Sequence, residues 1–275
     1  MWLGHQLSIA YGLDPAVTRA ELSLRRAETS VRRSKFAYEG ACDPLWTTKS
    51  TRSGTRHWIT RDFACADLRR ACARAGGFTY SDLLATCVLE VFSQWNHRHS
   101  RNGRPRVGVW LPMNIRSRSS EGFGNGTSRI RLYASYDASA SLIEKAREVR
   151  RQVAWSTENG EWAVPELPFL TVLPGCITGP ALRGYLNRPS IDMATGIFTH
   201  ADRWGGAGEA FKHVERIECV GLLHPRQRLA INGATHRGQT WLTFTYDTGL
   251  MSAVEAEELA RMYEQQIELA QAELL

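Results

Sequence analysis

Residues 79–95 read TYSDLLATCVLEVFSQW, and this stretch fixes the organisation of everything around it. Thr79-Tyr80-Ser81-Asp82 has the S/T-x-x-D form of a helix start, in which the first side chain and the carboxylate three residues on satisfy orphan N–H groups. Leu83, Leu84, Cys87, Val88, Val91, Phe92 and Trp95 then recur at helical spacing. The pattern predicts a long buried helix ending near His97–Arg101. Upstream, Ala66–Ala75 carries Leu68, Ala71, Cys72 and Ala75 on one helical face, and Gly76-Gly77 stops it. Arg56–Phe63 reads as a strand. Downstream, Arg106–Met113 alternates Val107, Val109 and Leu111, a strand signature.

The rest of the chain continues in α/β order. Thr127–Ser135 reads as a strand and Ser139–Ser156 as an amphipathic helix. Ile191–Thr199, Val214–Val220, Arg228–Thr235 and Thr240–Tyr246 read as strands. His236-Arg237-Gly238-Gln239 joins the last two as a hairpin. Ser252 and Glu255 form a capping box before a terminal helix through Leu259, Met262, Tyr263 and Ile267. Residues 157–190 are irregular and hold Pro165, Pro168, Pro174, Pro180 and Pro189, the mark of a long connection that contacts a partner or a site. At the other end, Asp14 and Pro15 start a helix to Lys35 crowded with Arg25, Arg26, Arg32 and Arg33. Glu39–Arg56, rich in Gly, Ser, Thr and Pro, reads as a linker or mobile loop. These readings give a mixed sheet flanked by helices over 56–275, and a basic helical extension with linker over 1–55.

Bulk properties narrow the classes. The 275 residues are 43% apolar and 23% charged, as in ordinary globular proteins. No apolar run is long enough to span a membrane, and Met1–Leu13 is too polar for a signal peptide, so a cytoplasmic location is expected. Cys42, Cys65, Cys72, Cys87, Cys176 and Cys219 form no CxxC pair, which argues against a zinc ribbon or a disulfide framework. No metal site is expected. Residues 1–61 hold ten Lys/Arg against five Asp/Glu, and 62–275 hold 24 against 23, so the net charge of +6 is concentrated at the N-terminal end. That end suits an anionic partner or a solvated helix face. No nucleic-acid-binding motif accompanies it, and nucleic acid is not expected as a partner.

Several strings, taken in order, resemble the C-terminal subdomain of the chloramphenicol-acetyltransferase-like acyltransferases, the superfamily of peptide-synthetase condensation domains and wax-ester synthases. Thr79–Asp82 stands where the wax-ester-synthase branch has Thr-x-Asn-Asp, with Ser81 in place of Asn. Pro112, Asn114 and Arg116 match the Pro-x-Asn-x-Arg strand end, and Gly124-Asn125-Gly126 the turn that follows. Thr195–Trp204 gives a glycine-containing strand end, and the closing strand, Gly238 turn, strand, Tyr246-Asp247 and helix complete the order. The resemblance implies a chloramphenicol-acetyltransferase-like subdomain forming one wall of an acyl-transfer tunnel.

The same resemblance assigns candidate residues. Asn125, Thr199 and His200 would line the substrate tunnel, and Ser81, Asp82, Asn114 and Arg116 would brace it. Asp82 is also explained as a first-turn carboxylate, the alternative being a bidentate pair with Arg116. Asn125 is also explained as a turn residue between glycines. His200-Ala201-Asp202 comes nearest to a base with an orienting carboxylate, and His200 is the one weak catalytic candidate. The family's catalytic HHxxxDG string is absent. Asp43-Pro44-Leu45-Trp46 copies the PLW string that precedes it in wax-ester synthases, but no His pair follows, leaving coincidence or relic as its reading.

The implied function is a component of an acyltransferase in natural-product or lipid biosynthesis. It would move an acyl group from a CoA or carrier-protein thioester to an alcohol or amine, with no permanently bound cofactor. An N-terminal acyltransferase half, a second copy of the chain or an acyl carrier protein is the implied partner. The alternatives are a non-catalytic binding or scaffolding module derived from a condensation-like domain, and an acyltransferase acting alone through His200.

Overall fold

The computed structural model describes residues 42–99, 105–114, 127–135, 137–159, 194–202, 213–221, 223 and 227–275. The basic helix expected over 15–35 and most of the proline-rich connection lie outside the described residues. Strand β1 is Arg56–Ala64, helix α1 Ala66–Ala75 and helix α2 Tyr80–His99. Then come β2 (Arg106–Asn114), β3 (Thr127–Ser135), α3 (Leu142–Glu158), β4 (Gly196–Ala201), β5 (Leu229–His236), β6 (Gln239–Asp247) and α4 (Ala253–Leu274).

The six strands make one mixed sheet in the order β1-β6-β5-β4-β2-β3. Its centre is parallel, β2 with β4 and β4 with β5, and both flanks are antiparallel. The β5–β6 hairpin is closed by Arg237 and Gly238, both at positive φ (48° and 78°), the backbone of a two-residue turn whose twist suits the strands.

Alternation along the strands decides the core. Val107, Val109, Ile130, Leu132, Phe198, Leu229, Ile231, Leu242, Phe244 and Tyr246 join apolar side chains from all four helices in one cluster. Residues of opposite parity face away, where Trp110 and Ile197 form a small separate cluster with Ala194. Helix α2 lies deepest, packed between the sheet and helices α3 and α4. A Cβ on Gly196 would come within 2.7 Å of the Phe92 ring, so β4 and α2 approach as closely as they do because that residue has no side chain.

Two strand expectations change. The strand expected over Ile191–Thr199 is Gly196–Ala201 instead: the Thr195 hydroxyl accepts from Gly108 N–H (3.1 Å) and donates to the Asp43 carbonyl (2.8 Å), so a side chain anchors the chain before the ladder begins. Val214–Val220 is not a strand. Neighbouring β5 already has β4 and β6 on its two sides, so no edge is open there. The segment instead lays Gly221 against the Asn232 side chain, with its N–H donating to Thr245 Oγ1 at 3.3 Å.

Residues 42–55, expected as linker, have no regular secondary structure yet are fixed to the domain. Leu45 is fully buried in the core. Asn96 Oδ1 accepts from Trp46 N–H (2.8 Å), Trp95 Nε1 donates to the Trp46 carbonyl (2.8 Å), and Arg228 donates to the Leu45 carbonyl. Further along, Glu255 Oε1 accepts from Thr48 N–H, while Asp247 accepts from Ser53 N–H (2.9 Å), Ser53 Oγ (2.8 Å), Gly54 N–H (2.9 Å) and Gly249 N–H (2.8 Å). Composition suggested a loop because these side chains are small and polar; their backbone N–H groups and the Ser53 hydroxyl are what the buried acids bind.

Burial alone would raise the pKa of Asp247, but the donors from Ser53, Gly249 and Gly54 hold it at about 2. That folded value lies below the unfolded one of about 3.9, so the stabilisation is complete above pH ~4 and is lost as pH falls toward 2. Asp247→Ala is expected to cost about 2 kcal/mol of unfolding free energy at pH 7, and the deficit relative to wild type should shrink in denaturant titrations at pH 2.5. A deficit independent of pH over that interval contradicts this account.

Candidate functional site

In a sheet with a parallel centre, ligands gather beyond the carboxyl ends of the parallel strands. Here β2 ends at Asn114, β4 at Ala201 and β5 at His236, all toward the same edge. The chain leaves β2 at Asn114 and returns in β3 at Thr127, which is its register partner. Arg116 and Asn125 fall within 115–126, outside the described residues. Nothing further is assigned to Asn114 beyond its place at the strand end.

Helix α2 begins beside that end. Asp82 Oδ2 accepts from Thr79 N–H and Thr79 Oγ1, both at 2.7 Å, and Asp82 N–H donates to Thr79 Oγ1 at 3.2 Å. The pair caps the helix reciprocally. Asp82 is buried, and its nearest described cation is Arg150 at 3.9 Å.

Ser81 and His200 meet across the helix–sheet junction. Ser81 Oγ lies 2.8 Å from His200 Nδ1, and His200 Nε2 lies 2.8 Å from Thr235 Oγ1. Thr235 Oγ1 is 2.7 Å from Thr240 Oγ1, which is 2.9 Å from the Tyr80 hydroxyl. Strand geometry dictates the grouping: Thr235 and Thr240 are register partners, and His200 stands opposite Gly233, two residues from Thr235 on the same face. The Tyr80 ring meets the imidazole edge-on, with centroids 5.7 Å apart. Arg69 caps the cluster. Its guanidinium lies 5.8 Å from the Tyr80 ring centroid and pairs with Asp202 through Nη1–Oδ1 (2.8 Å) and Nη2–Oδ2 (3.2 Å).

Burial pushes the His200 pKa down from 6.5 to about 4, Asp202 opposing this and Arg69 adding to it. The imidazole is neutral at pH 7 and both its nitrogens are engaged by hydroxyls. As placed, it offers no free nitrogen to a substrate, and Asp202 is committed to Arg69 rather than to orienting the ring. Thr199 has the opposite parity. It faces away from the helices, in register with Asn232, which pairs with Thr243 and then Thr60 across the sheet. Thr199 and His200 thus occupy different faces. Among the described residues no group of His, Cys, Asp and Glu is arranged to hold a metal ion, and Cys65, Cys72, Cys87 and Cys219 are free thiols.

Sequence reading singled out Ser81 and His200 but not Tyr80, Thr235, Thr240, Arg69 or Asp202 as a group. The available signal was parity: alternate residues of the hairpin put Thr235 and Thr240 on the core side, where an apolar residue is the norm.

With this geometry in view, comparisons with solved structures define the fold. The trichothecene 15-O-acetyltransferase of Fusarium sporotrichioides aligns with a TM-score of 0.57 at 12% identity, over 83% of this chain and 49% of that one. The starter condensation domain of rhizomide synthetase aligns at 0.53 and 12% identity, over 87% of this chain and 50% of that domain. A nonribosomal peptide synthetase bound to alpha-methyl-L-serine-AMP aligns at 0.57 and 14% identity, over 85% of this chain and 24% of that protein. The chain has the condensation-domain and chloramphenicol-acetyltransferase-like fold, and it spans half or less of the length of these similar structures. No protein-family model and no curated protein sequence matches it. No helix among the described residues is long and apolar enough to cross a membrane.

Between pH ~6.5 and ~4 the unfolded chain binds a proton at position 200 that the folded chain does not, so this group's stabilisation is complete above 6.5 and falls with pH. His200→Gln, which does not titrate, is expected to remove an acid-side loss on the order of 2 kcal/mol. Denaturant unfolding of both proteins at pH 7 and pH 4.5 measures it. Parallel losses in wild type and variant contradict the assignment.

Proposed function

We propose that the chain is one half of an acyltransferase, passing an acyl group from a CoA or carrier-protein thioester to an alcohol or amine. The observation that carries the proposal is the subdomain fold with a polar cluster at the carboxyl ends of its parallel strands, in a chain about half the length of the acyl-transfer domains it resembles. Acyl transfer needs a base to take the proton from the acceptor. The sequence has no HHxxxDG string, and His200 has both nitrogens bound to hydroxyls. The base in this scheme comes from a second subdomain, and the present chain supplies a tunnel wall and its hydrogen-bond donors.

The chain alone is expected to bind acetyl-CoA or octanoyl-CoA with Kd between ~1 μM and ~1 mM in isothermal titration, without turning it over. Acyl transfer to an alcohol or amine should appear only when a polypeptide carrying HHxxxDG is added. Absence of binding to both thioesters and to an acylated carrier protein leaves the non-catalytic module as the reading. Turnover by the chain alone, lost in His200→Ala, replaces the proposal with a self-contained enzyme.

A further inference from the structure

The hydroxyl relay between Tyr80 and Ser81 has a direction. Tyr80 is buried, and burial pushes its phenol pKa far up, so the phenol keeps its proton. Its one hydrogen-bond neighbour among the described residues is Thr240 Oγ1 at 2.9 Å. A buried donor without an acceptor is the costliest way to leave a hydrogen bond unmade, so the phenol donates to Thr240. Thr240 then has its own proton to give, and its other neighbour is Thr235 Oγ1 at 2.7 Å. Thr235 in turn donates to His200 Nε2 at 2.8 Å. An imidazole that accepts at Nε2 and is neutral must carry its proton on Nδ1. Nδ1–H therefore donates to Ser81 Oγ at 2.8 Å, the one hydrogen-bond neighbour of that hydroxyl among the described residues.

The chain of donors ends there. Ser81 Oγ accepts from His200, and its own proton has no acceptor among the described residues. Run the other way, the relay would leave the buried phenol proton stranded instead. Each donation polarises the next, so a hydroxyl at the end of such a chain is a stronger donor than an isolated serine. Ser81 is half-buried, in the first turn of α2, beside the carboxyl ends of β4 and β5. Arg69 and Asp202 pair with each other beside Tyr80 and His200, and a serine O–H, as a donor, calls for an acceptor rather than a cation.

We propose that Ser81 is a ligand-binding hydrogen-bond donor whose free O–H receives the carbonyl oxygen of an acyl thioester, with Tyr80, Thr240, Thr235 and His200 as positioning residues that fix its direction. This rests on the acyl-transfer reading above for the identity of the ligand, but the direction of the relay stands on the hydrogen-bond geometry and the burial of Tyr80 and His200.

Two measurements on the full chain separate those parts. Long-range proton–nitrogen correlation spectra of uniformly 15N-labelled protein at pH 7 report the His200 tautomer: Nδ1 is expected protonated and Nε2 unprotonated. Tyr80→Phe removes the starting donor and should erase that single-tautomer signature. Protonation at Nε2 in wild type, or an unchanged tautomer in Tyr80→Phe, overturns the relay. Binding is read with acetyl-CoA and with S-ethyl-CoA, a thioether lacking the carbonyl. Ser81→Ala is expected to weaken acetyl-CoA about tenfold while leaving S-ethyl-CoA within about twofold, and Ser81→Thr should restore affinity. Equal weakening of both means that the hydroxyl serves the CoA phosphates or the fold, and no weakening means that its proton goes to water; either result overturns the proposal. If wild type binds neither compound, the acyl-transfer reading and the carbonyl ligand fall together, and the tautomer spectrum still decides the relay.

Discussion

Helix α2 is buried along nearly its whole length, and most of its buried polar side chains find a partner inside the protein, Ser93 Oγ having none among the described residues. Tyr80, Asp82, Thr86, Glu90, Ser93 and Asn96 are all among its buried positions, together with the apolar residues that put it there. Burial of the apolar set drives the helix into the core, and an unpaired polar group there is costly. Several of the non-ladder interactions of the domain answer that demand. Asp82 and Thr79 cap the first turn. Tyr80 and Ser81 start and end the hydroxyl relay through His200. Glu90, whose pKa burial raises and Lys145 counteracts, pairs with Lys145 at 2.7 Å, and Lys145 also donates to the Asp137 carbonyl. Asn96 and Trp95 turn outward to the backbone of residues 44–46.

The consequence at the functional end is that polar chemistry near the strand ends is inherited from the helix rather than added to it. His200 is held by groups that also satisfy α2 and the β5–β6 hairpin, and its burial among them keeps its basicity low. A residue recruited so fully into hydrogen bonds is suited to fixing the direction of a neighbouring hydroxyl, and poorly suited to shuttling protons. At the opposite end of the helix the same demand makes a short irregular segment structural: Trp46 stacks on His99, with centroids 4.3 Å apart and planes 9° from parallel. The Pro44-Leu45-Trp46 string is thereby part of the core packing.

Much of the architecture was legible before any coordinates. The capping boxes at Ser252–Glu255 and Thr79–Asp82, the apolar period of α2 and the Arg237-Gly238 turn are local features, set by the conformational preferences of a few adjacent residues. The strand expected over Val214–Val220 was not local in this sense. A strand also needs an open edge, and only the sheet order shows that none is available beside β5. The linker reading of 42–55 failed for a related reason: small polar residues look solvated until a buried carboxylate such as Asp247 is brought against their N–H groups from nearly two hundred residues away.

The sequence by itself determined the elements, their order and the resemblance to one half of an acyl-transfer fold, because these depend on periodicity and spacing along the chain. It also determined that no His pair of the HHxxxDG kind is present. The tertiary structure alone decided what His200 is. Whether a histidine is basic, and which of its nitrogens is free, depends on burial and on partners at Ser81 and Thr235, 119 and 35 residues distant. Likewise Thr199 and His200 are neighbours in sequence but lie on opposite faces of the sheet, since a strand turns successive side chains away from each other.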